Sequence, residues 1–451
     1  WLKSQIGNYE PVFSGLASQP SRANIAAGFR EYQLDRKEVR VARKDAAAAM
    51  AAEDMPQIDP AKIEKVVNTL RLQYMAAADA RIDAAIGSDT AFAERLVYFW
   101  SNHFAVSIDK LPVLAFAGDY EFTAIRPHIM GKFSDLLFAA VTHPAMLLYL
   151  DQAQSIGPNS PLAKRVAARS NRELGLNENL AREILELHTL GVRTVYDQND
   201  VTEFARALTG YTVGGMAKGP IQRLMAQNAK DGDSQFFTAI HEPGDRKVIG
   251  RRYSQQGEAQ ARAILSDIAA HPATAKHIAT KLAQHFAADV PPQTLVARLE
   301  KSFLEIGGNL PHLYRTLIGS PEMWLPKQLK FKSPWDWVVS SLRALDVREL
   351  PDSRQSVNLL AQLGQPIWKP GSPAGFSDTT ENWAGGAALM RRVEIASRMA
   401  ERSANRVDAR TLAPRILSDQ LSATTAESIA RAESPSQGLA LMLLSPEFLR
   451  R

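Results

Sequence analysis

Apolar side chains recur at three- and four-residue spacing through most of the chain, the period of a helix that buries one face. The pattern predicts helices over residues 60–86, 90–104, 133–141, 179–190, 201–208 and 258–270. It continues over 273–286, 292–306, 334–345, 387–400 and 426–432. Asp59 and Pro60 read as N-cap and first position of the earliest of these, with Gly87 as its stop. Residues 42–53 read as an alanine-rich helix or linker. Three stretches, 133–146, 310–323 and 438–449, run an apolar helix into a polar residue followed by proline. His143, Ser320 and Ser445 fit there as N-caps, and each proline takes the position that needs no amide donor. Residues 270–274 repeat the corner alone.

Two regions break the helical period. Residues 211–253 carry glycines and short β-prone runs at 236–240 and 247–249, which predicts a hairpin inserted among helices. Residues 364–383 are rich in Gly, Pro, Trp and Asn and read as a long loop, the kind that often carries function. The expected fold is therefore predominantly all-α: a multi-helix bundle with a small β-hairpin region around 211–253. The expected division is an N-terminal helical region, 1–87, and a main helical domain, 88–451.

Composition narrows the function classes. At 451 residues the chain has ample material for a core. No stretch approaches the roughly 18 uninterrupted apolar residues of a membrane span. The net charge of +5 is spread among interleaved acids and bases, which reads as a solvated surface, and no nucleic-acid partner is predicted. The absence of cysteine rules out disulfides, thiolate metal sites and cysteine nucleophiles. There is no phosphate-binding glycine loop, serine-nucleophile elbow, zinc-protease motif or calcium loop, and no cofactor is predicted. The chain opens at Trp1 without a signal-like segment, so an export signal is expected to have been removed.

The richest stretch chemically is 177–191, NENLAREILELHTLG. On a regular helix Glu178, Asn179, Arg182, Glu183 and Glu186 share one face, and Leu180, Ala181, Ile184 and Leu187 the other. This is either a solvated stripe with i,i+4 pairs or a row of carboxylates lining a site. His103, in WSNHF, continues the apolar stripe of Phe92, Leu96 and Phe99 and should point inward, with Asn102 beside it. HEPGDRKVIG, 241–250, has turn chemistry that would expose His241, Glu242 and Lys247. In DVTEFARALTG, Asp200 and Glu203 read as a capping box with a glycine stop, and Arg206 can reach a neighbouring carboxylate.

These segments, together with RPHIMGKFSDLLFAAVTHPAMLLYLD, AHPATAKHIATKL and a late LGQP…NW, resemble the bacterial domain of unknown function 1800 family in the family's order. The similarity runs from about Glu94 to Arg398, and the NEN-x-x-RE-x-x-EL-x-x-LG run is its most specific part. Glu242 stands where the family usually has aspartate. The resemblance implies an exported protein in the periplasm or outside the cell, often beside a sulfatase- or phosphatase-like exported partner.

Three readings follow. In the first, a glycan-active hydrolase uses Glu178 and Glu183 as its carboxylate pair. Trp100, Trp368 and Trp383 supply stacking faces, and Asn102, His103, Asn177, Asn179, Arg182, Glu186, Arg206, His241 and Lys247 bind a polysaccharide. In the second, the chain is a non-catalytic binding or assembly protein at the cell surface. In the third, Glu178, Glu183 and Glu186 join His103, His188 or His241 around an oxygen-preferring metal.

Overall fold

The structure is a computed structural model, and it describes all residues except 14, 16–18, 49–59, 170–174, 218, 226–229, 327 and 349–352. Among the described residues are twenty-one α-helices and two separate two-stranded antiparallel sheets. The predominantly all-α expectation holds, and the ends of the helices that the apolar period predicts fall within a few residues of those found, while Arg22–Ala48, Leu111–Tyr120, Pro161–Ala167, Ser353–Gln362 and Ala409–Leu417 are helices the sequence reading did not place. The proline corners at His143, His271 and Ser445 form as expected, whereas the Ser320 side chain makes no cap bond and its hydroxyl donates to the Thr316 carbonyl at 2.8 Å. His143 and His271 each accept the backbone N–H two residues on, and Ser445 accepts that of Phe448 at 3.2 Å. The expected N-cap at Asp59 and the second half of the 42–53 segment lie outside the described residues.

The β region differs from a single hairpin. Tyr211–Val213 pairs with Ser234–Phe236, and Arg246–Val248 pairs with Arg251–Tyr253. A helix, Gly219–Met225, stands inside the first connection, and the 238–240 part of one expected strand is a 3₁₀ turn. The capping box also shifts: the helix Gln198–Leu208 is capped by Asp197, whose partner is Asp200 at the third position. Asp200 thus receives the N-cap amide rather than supplying the cap.

One continuous apolar cluster joins Ile25 and Phe29 of the first long helix to Leu439, Met442 and Phe448 near the far end. The helix Pro60–Gly87 packs on Leu111–Tyr120, Pro334–Ala344 and Ser353–Gln362, so residues 1–87 share their core with later elements. Ala91–His103 runs through the middle of this core, with Leu96, Phe99 and Trp100 buried. Removing a buried aromatic of this kind costs about 3–5 kcal/mol.

Two segments widen from α to π geometry, Glu121–Ile125 and Ile184–His188. Such turns take up one extra residue and often mark functional sites. The second falls inside the most specific motif of the chain. It changes which side chains face inward: Leu180, Ala181, Ile184 and His188 are buried on the apolar side of the helical wheel, but the extra residue turns Leu185 to the core and leaves Leu187 half-buried.

Candidate functional site

The segment Asn179–His188 is fastened at both ends by other parts of the chain. At its start, the Asn177 carboxamide oxygen accepts the Asn179 amide at 2.8 Å, and the Asn177 amide donates to Ser155 Oγ at 3.0 Å. Asn179 itself is exposed. Glu178 accepts from Arg182 at 3.0 Å, Gln198 at 2.8 Å and Thr202 at 2.7 Å. The Thr202 bond, then those of Gln198 and Arg182, outweigh a modest burial cost and hold the Glu178 carboxyl below the usual carboxylate range.

At its far end, His103 donates through Nε2 to the His188 carbonyl at 3.0 Å, and His277 donates through Nε2 to the Leu187 carbonyl at 2.9 Å. Two imidazoles from other helices thus satisfy carbonyls that a helix end leaves without partners. Burial keeps both rings neutral, His103 with its pKa well below the ordinary histidine value and further lowered by His277, His188 and Lys281. His188 packs against Phe104 with its pKa pushed down to about 3 by burial and by His277. Among the described residues neither ring nitrogen of His188 has a hydrogen-bond partner.

Between these fastenings the helix presents Glu183 and Glu186, both half-buried. Neither makes a hydrogen bond or ion pair with another described residue. Burial first, then the Glu186 charge, raises the Glu183 carboxyl above its ordinary value, with Arg182 opposing. Two half-buried tyrosines lie near enough to feel the charges of the pair. The Tyr149 phenol is pushed up to about 12 by burial and the Glu183 charge, and Tyr196 is raised by burial and by Glu186. Neither tyrosine stands out in the sequence. Tyr149 falls in the run MLLYLD without any spacing that ties it to Glu183, and only the fold brings them near each other.

Several expected binding residues have other partners. Trp100 is fully buried and donates its indole N–H to Tyr314 Oη at 2.6 Å, so it offers no stacking face. Trp368 and Trp383 are buried too, their N–H groups donated to Glu121 and to the Ser377 carbonyl. Asn102 uses its whole carboxamide on Phe376, donating to its carbonyl at 2.9 Å and accepting its amide at 2.7 Å. That side chain therefore pins the 364–383 loop. Arg206 pairs with Glu203 on its own helix, and Arg246 joins the same carboxylate at 3.1 Å.

The 241–250 turn departs most from expectation. His241 is buried, donates to the Thr209 carbonyl at 2.7 Å and has its pKa lowered by burial. Glu242 is buried and accepts both the backbone and side-chain N–H groups of Asn159, at 2.7 and 2.6 Å. Turn residues do favour the surface, but here Gly157 allows the neighbouring backbone so close that the Glu242 main chain fills the place of its missing Cβ. Lys247 alone is exposed.

For the metal reading, His103 and His188 lie on the inner side of the helix, and His241 is bound to Thr209. Among the described residues no three histidines or carboxylates are arranged to hold an ion.

A family model described as Protein of unknown function (DUF1800) matches residues 3–450. The chain belongs to this family. The match reaches well beyond the 94–398 stretch over which the motifs were legible, so the DUF1800 unit includes the amino-terminal helices and the last ones. No curated protein and no solved structure matches the chain. No helix among the described residues is long and apolar enough to cross a membrane.

Proposed function

We propose that this DUF1800 member hydrolyses a glycan at the outer face of Asn179–His188, with Glu183 as general acid and Glu186 as the second carboxylate. The observation that carries the reading is the pair itself: two half-buried carboxylates without hydrogen-bond partners among the described residues, their charges felt by two half-buried tyrosines. Glycoside cleavage uses one carboxyl group kept protonated and one kept ionised, and environments that push two such groups apart mark the acid and the base. Glu183 has the raised value that a general acid needs. Tyrosine rings beside the pair suit the apolar faces of sugars. Glu178, paired with Glu183 in the sequence reading, serves here to hold Arg182 and the helix start, since its oxygens already receive three donors.

The reading includes placement outside the cytoplasm and work beside an exported sulfatase- or phosphatase-like partner, on the strength of the family resemblance alone. The test is reducing-end release from a panel of bacterial exopolysaccharides. Glu183→Gln and Glu186→Gln should each abolish it, and Tyr196→Ala should raise KM more than it lowers kcat. Release unchanged by both glutamine variants would remove the assignment.

A second reading, non-catalytic glycan recognition at the same face, draws support from the bonded frame of Glu178, Arg182, Gln198 and Thr202. That frame holds an accessible polar surface in one arrangement. It predicts saturable binding with no release of reducing ends, weakened by the same two glutamine variants.

A further inference from the structure

On the opposite side of the sequence from that helix, an open cavity of about 390 Å³ lies between the helix Pro334–Ala344 and the end of the chain. Its walls include Lys332, Ser340, Arg343, Glu447, Phe448 and Arg450. We propose that Lys332 is an amine nucleophile that condenses there with a small carbonyl compound bearing an anionic group, the anion being held by Arg343 and Arg450. This site is independent of the Glu183–Glu186 reading.

The backbone around Lys332 is fixed. Its amide donates to the Leu449 carbonyl at 2.8 Å, Phe331 bridges Arg450, and the Arg392 guanidinium donates to the Lys332 carbonyl at 2.7 Å. The side chain ends with Nζ 3.9 Å from the centre of the Phe448 ring. No described carboxylate forms an ion pair with it.

Both nearby acids have other partners. Asp336 accepts from Ser333 Oγ at 2.9 Å and pairs with Arg451 at 3.1 Å. Glu447 accepts from the Ser422 amide at 3.2 Å and from Thr425. Arg343 uses Nη1 on the carbonyls of Ala85, Ile86 and Ser88, at 3.1, 3.0 and 2.8 Å. Its remaining N–H groups have no described partner. Arg450 donates to the Pro446 carbonyl at 3.2 Å and is otherwise exposed. The cavity thus carries three cationic side chains and one carboxylate already in use, a setting that favours an anionic ligand.

A lysine without an ion-pair partner, set among cations in a desolvated wall, is the usual way of preparing an amine for attack on a carbonyl. Burial, with Arg95 and Arg392 adding and Asp336 opposing, pushes the Lys332 amine down to about 7. An ordinary lysine at pH 7 is about 0.04% free base, whereas an amine titrating near 7 is about half free. The chemistry balances without oxidant or reductant. The Nζ lone pair adds to the carbonyl carbon, and the carbonyl oxygen takes up a proton. Loss of water from the carbinolamine then leaves a C=N bond, so one amine and one carbonyl give one imine and one water.

The test uses the full chain with glyoxylate as the anionic carbonyl probe, propanal as its neutral counterpart, and cyanoborohydride to reduce any imine in place. Peptide mass spectrometry then reads the labelling rate of every lysine in one digest. Lys332 should react with glyoxylate at pH 7 at least tenfold faster than the exposed Lys247 and Lys276, with a pH midpoint near 7. Arg450→Gln should erase the preference for glyoxylate over propanal while leaving the propanal rate unchanged. Lys332 labelling no faster than Lys247 and Lys276 would overturn the proposal. That ratio is measured on the unsubstituted protein, so the outcome does not depend on whether a variant folds.

Discussion

Arg81 and Glu121 face each other in the interior, guanidinium Nε 3.0 Å from a carboxylate oxygen, both side chains almost completely buried. The Arg81 guanidinium carbon lies 4.4 Å from the ring centre of Trp335 and 5.2 Å from that of Trp368. The other Glu121 oxygen accepts from Ser101 at 2.6 Å and from the Trp368 indole at 2.9 Å. The small cavity beside this group, about 20 Å³, has room for about one water. Glu121→Gln leaves the arginine charge buried without a counterion and should lower stability by about 3–5 kcal/mol. Urea unfolding should show the midpoint falling with an unchanged slope; an unfolding free energy within about 1 kcal/mol of the parent would contradict the placement.

Glu183 should trade stability for its environment. Its folded pKa lies above the unfolded value, so the folded state binds more protons in that window and loses stability as pH rises through it. Glu183→Gln removes the penalty. The variant should be more stable than the parent at pH 7, and the two should converge near pH 4, as read by urea midpoints at each pH.

His188 should contribute acid sensitivity. The folded ring stays neutral down to about 3, whereas the unfolded chain protonates it near 6.5. Between those values the unfolded state holds the extra proton, so stability falls as pH falls. His188→Leu should flatten the slope by about 1.4 kcal/mol per pH unit in the middle of that window. At pH 7 it should cost little, since it replaces a buried ring whose nitrogens have no partner among the described residues. An unchanged slope would mean that His188 titrates normally.

The Asn102 carboxamide should decide whether the 364–383 loop stays down. Asn102→Ala removes both bonds to Phe376 and leaves that residue's backbone groups without them, a loss of about 1–3 kcal/mol. Gly375→Ala should act similarly, because Gly375 has φ +80° and a Cβ there would meet the Asn102 carbonyl oxygen. Both variants should gain protease cleavage between residues 369 and 379 before any other segment. Cleavage starting elsewhere would assign the loop's anchoring to other contacts.

How much of this was legible in the residues varies by type of interaction. The helix Ala91–His103 and the corners at His143 and His271 follow from apolar spacing and caps, which act over four residues or fewer. The inward direction of His103 was legible too, because it continues the Phe92–Leu96–Phe99 stripe. Its role was not: its partner, the His188 carbonyl, lies 85 residues away. Trp100 shows the same limit, with a partner 214 residues along the chain. A tryptophan in an apolar run can stack on a ligand or fill a core, and spacing does not separate the two. The misreading of 241–250 has the same origin, since turn residues predict exposure and the burial of Glu242 comes from Asn159 and Gly157.

By itself the sequence determined the helical class, the limits of the helices with a clear apolar period, the cysteine-free chemistry and the row of carboxylates in 177–191, because each rests on local periodicity or composition. Tertiary structure alone decided that Glu178 is bonded away while Glu183 and Glu186 stand free beside Tyr149 and Tyr196, and that Lys332 ends in a cationic cavity. The reason is physical: a carboxylate or an amine takes its proton affinity from the water it loses and the charges it meets, and both are set by segments far away in the chain.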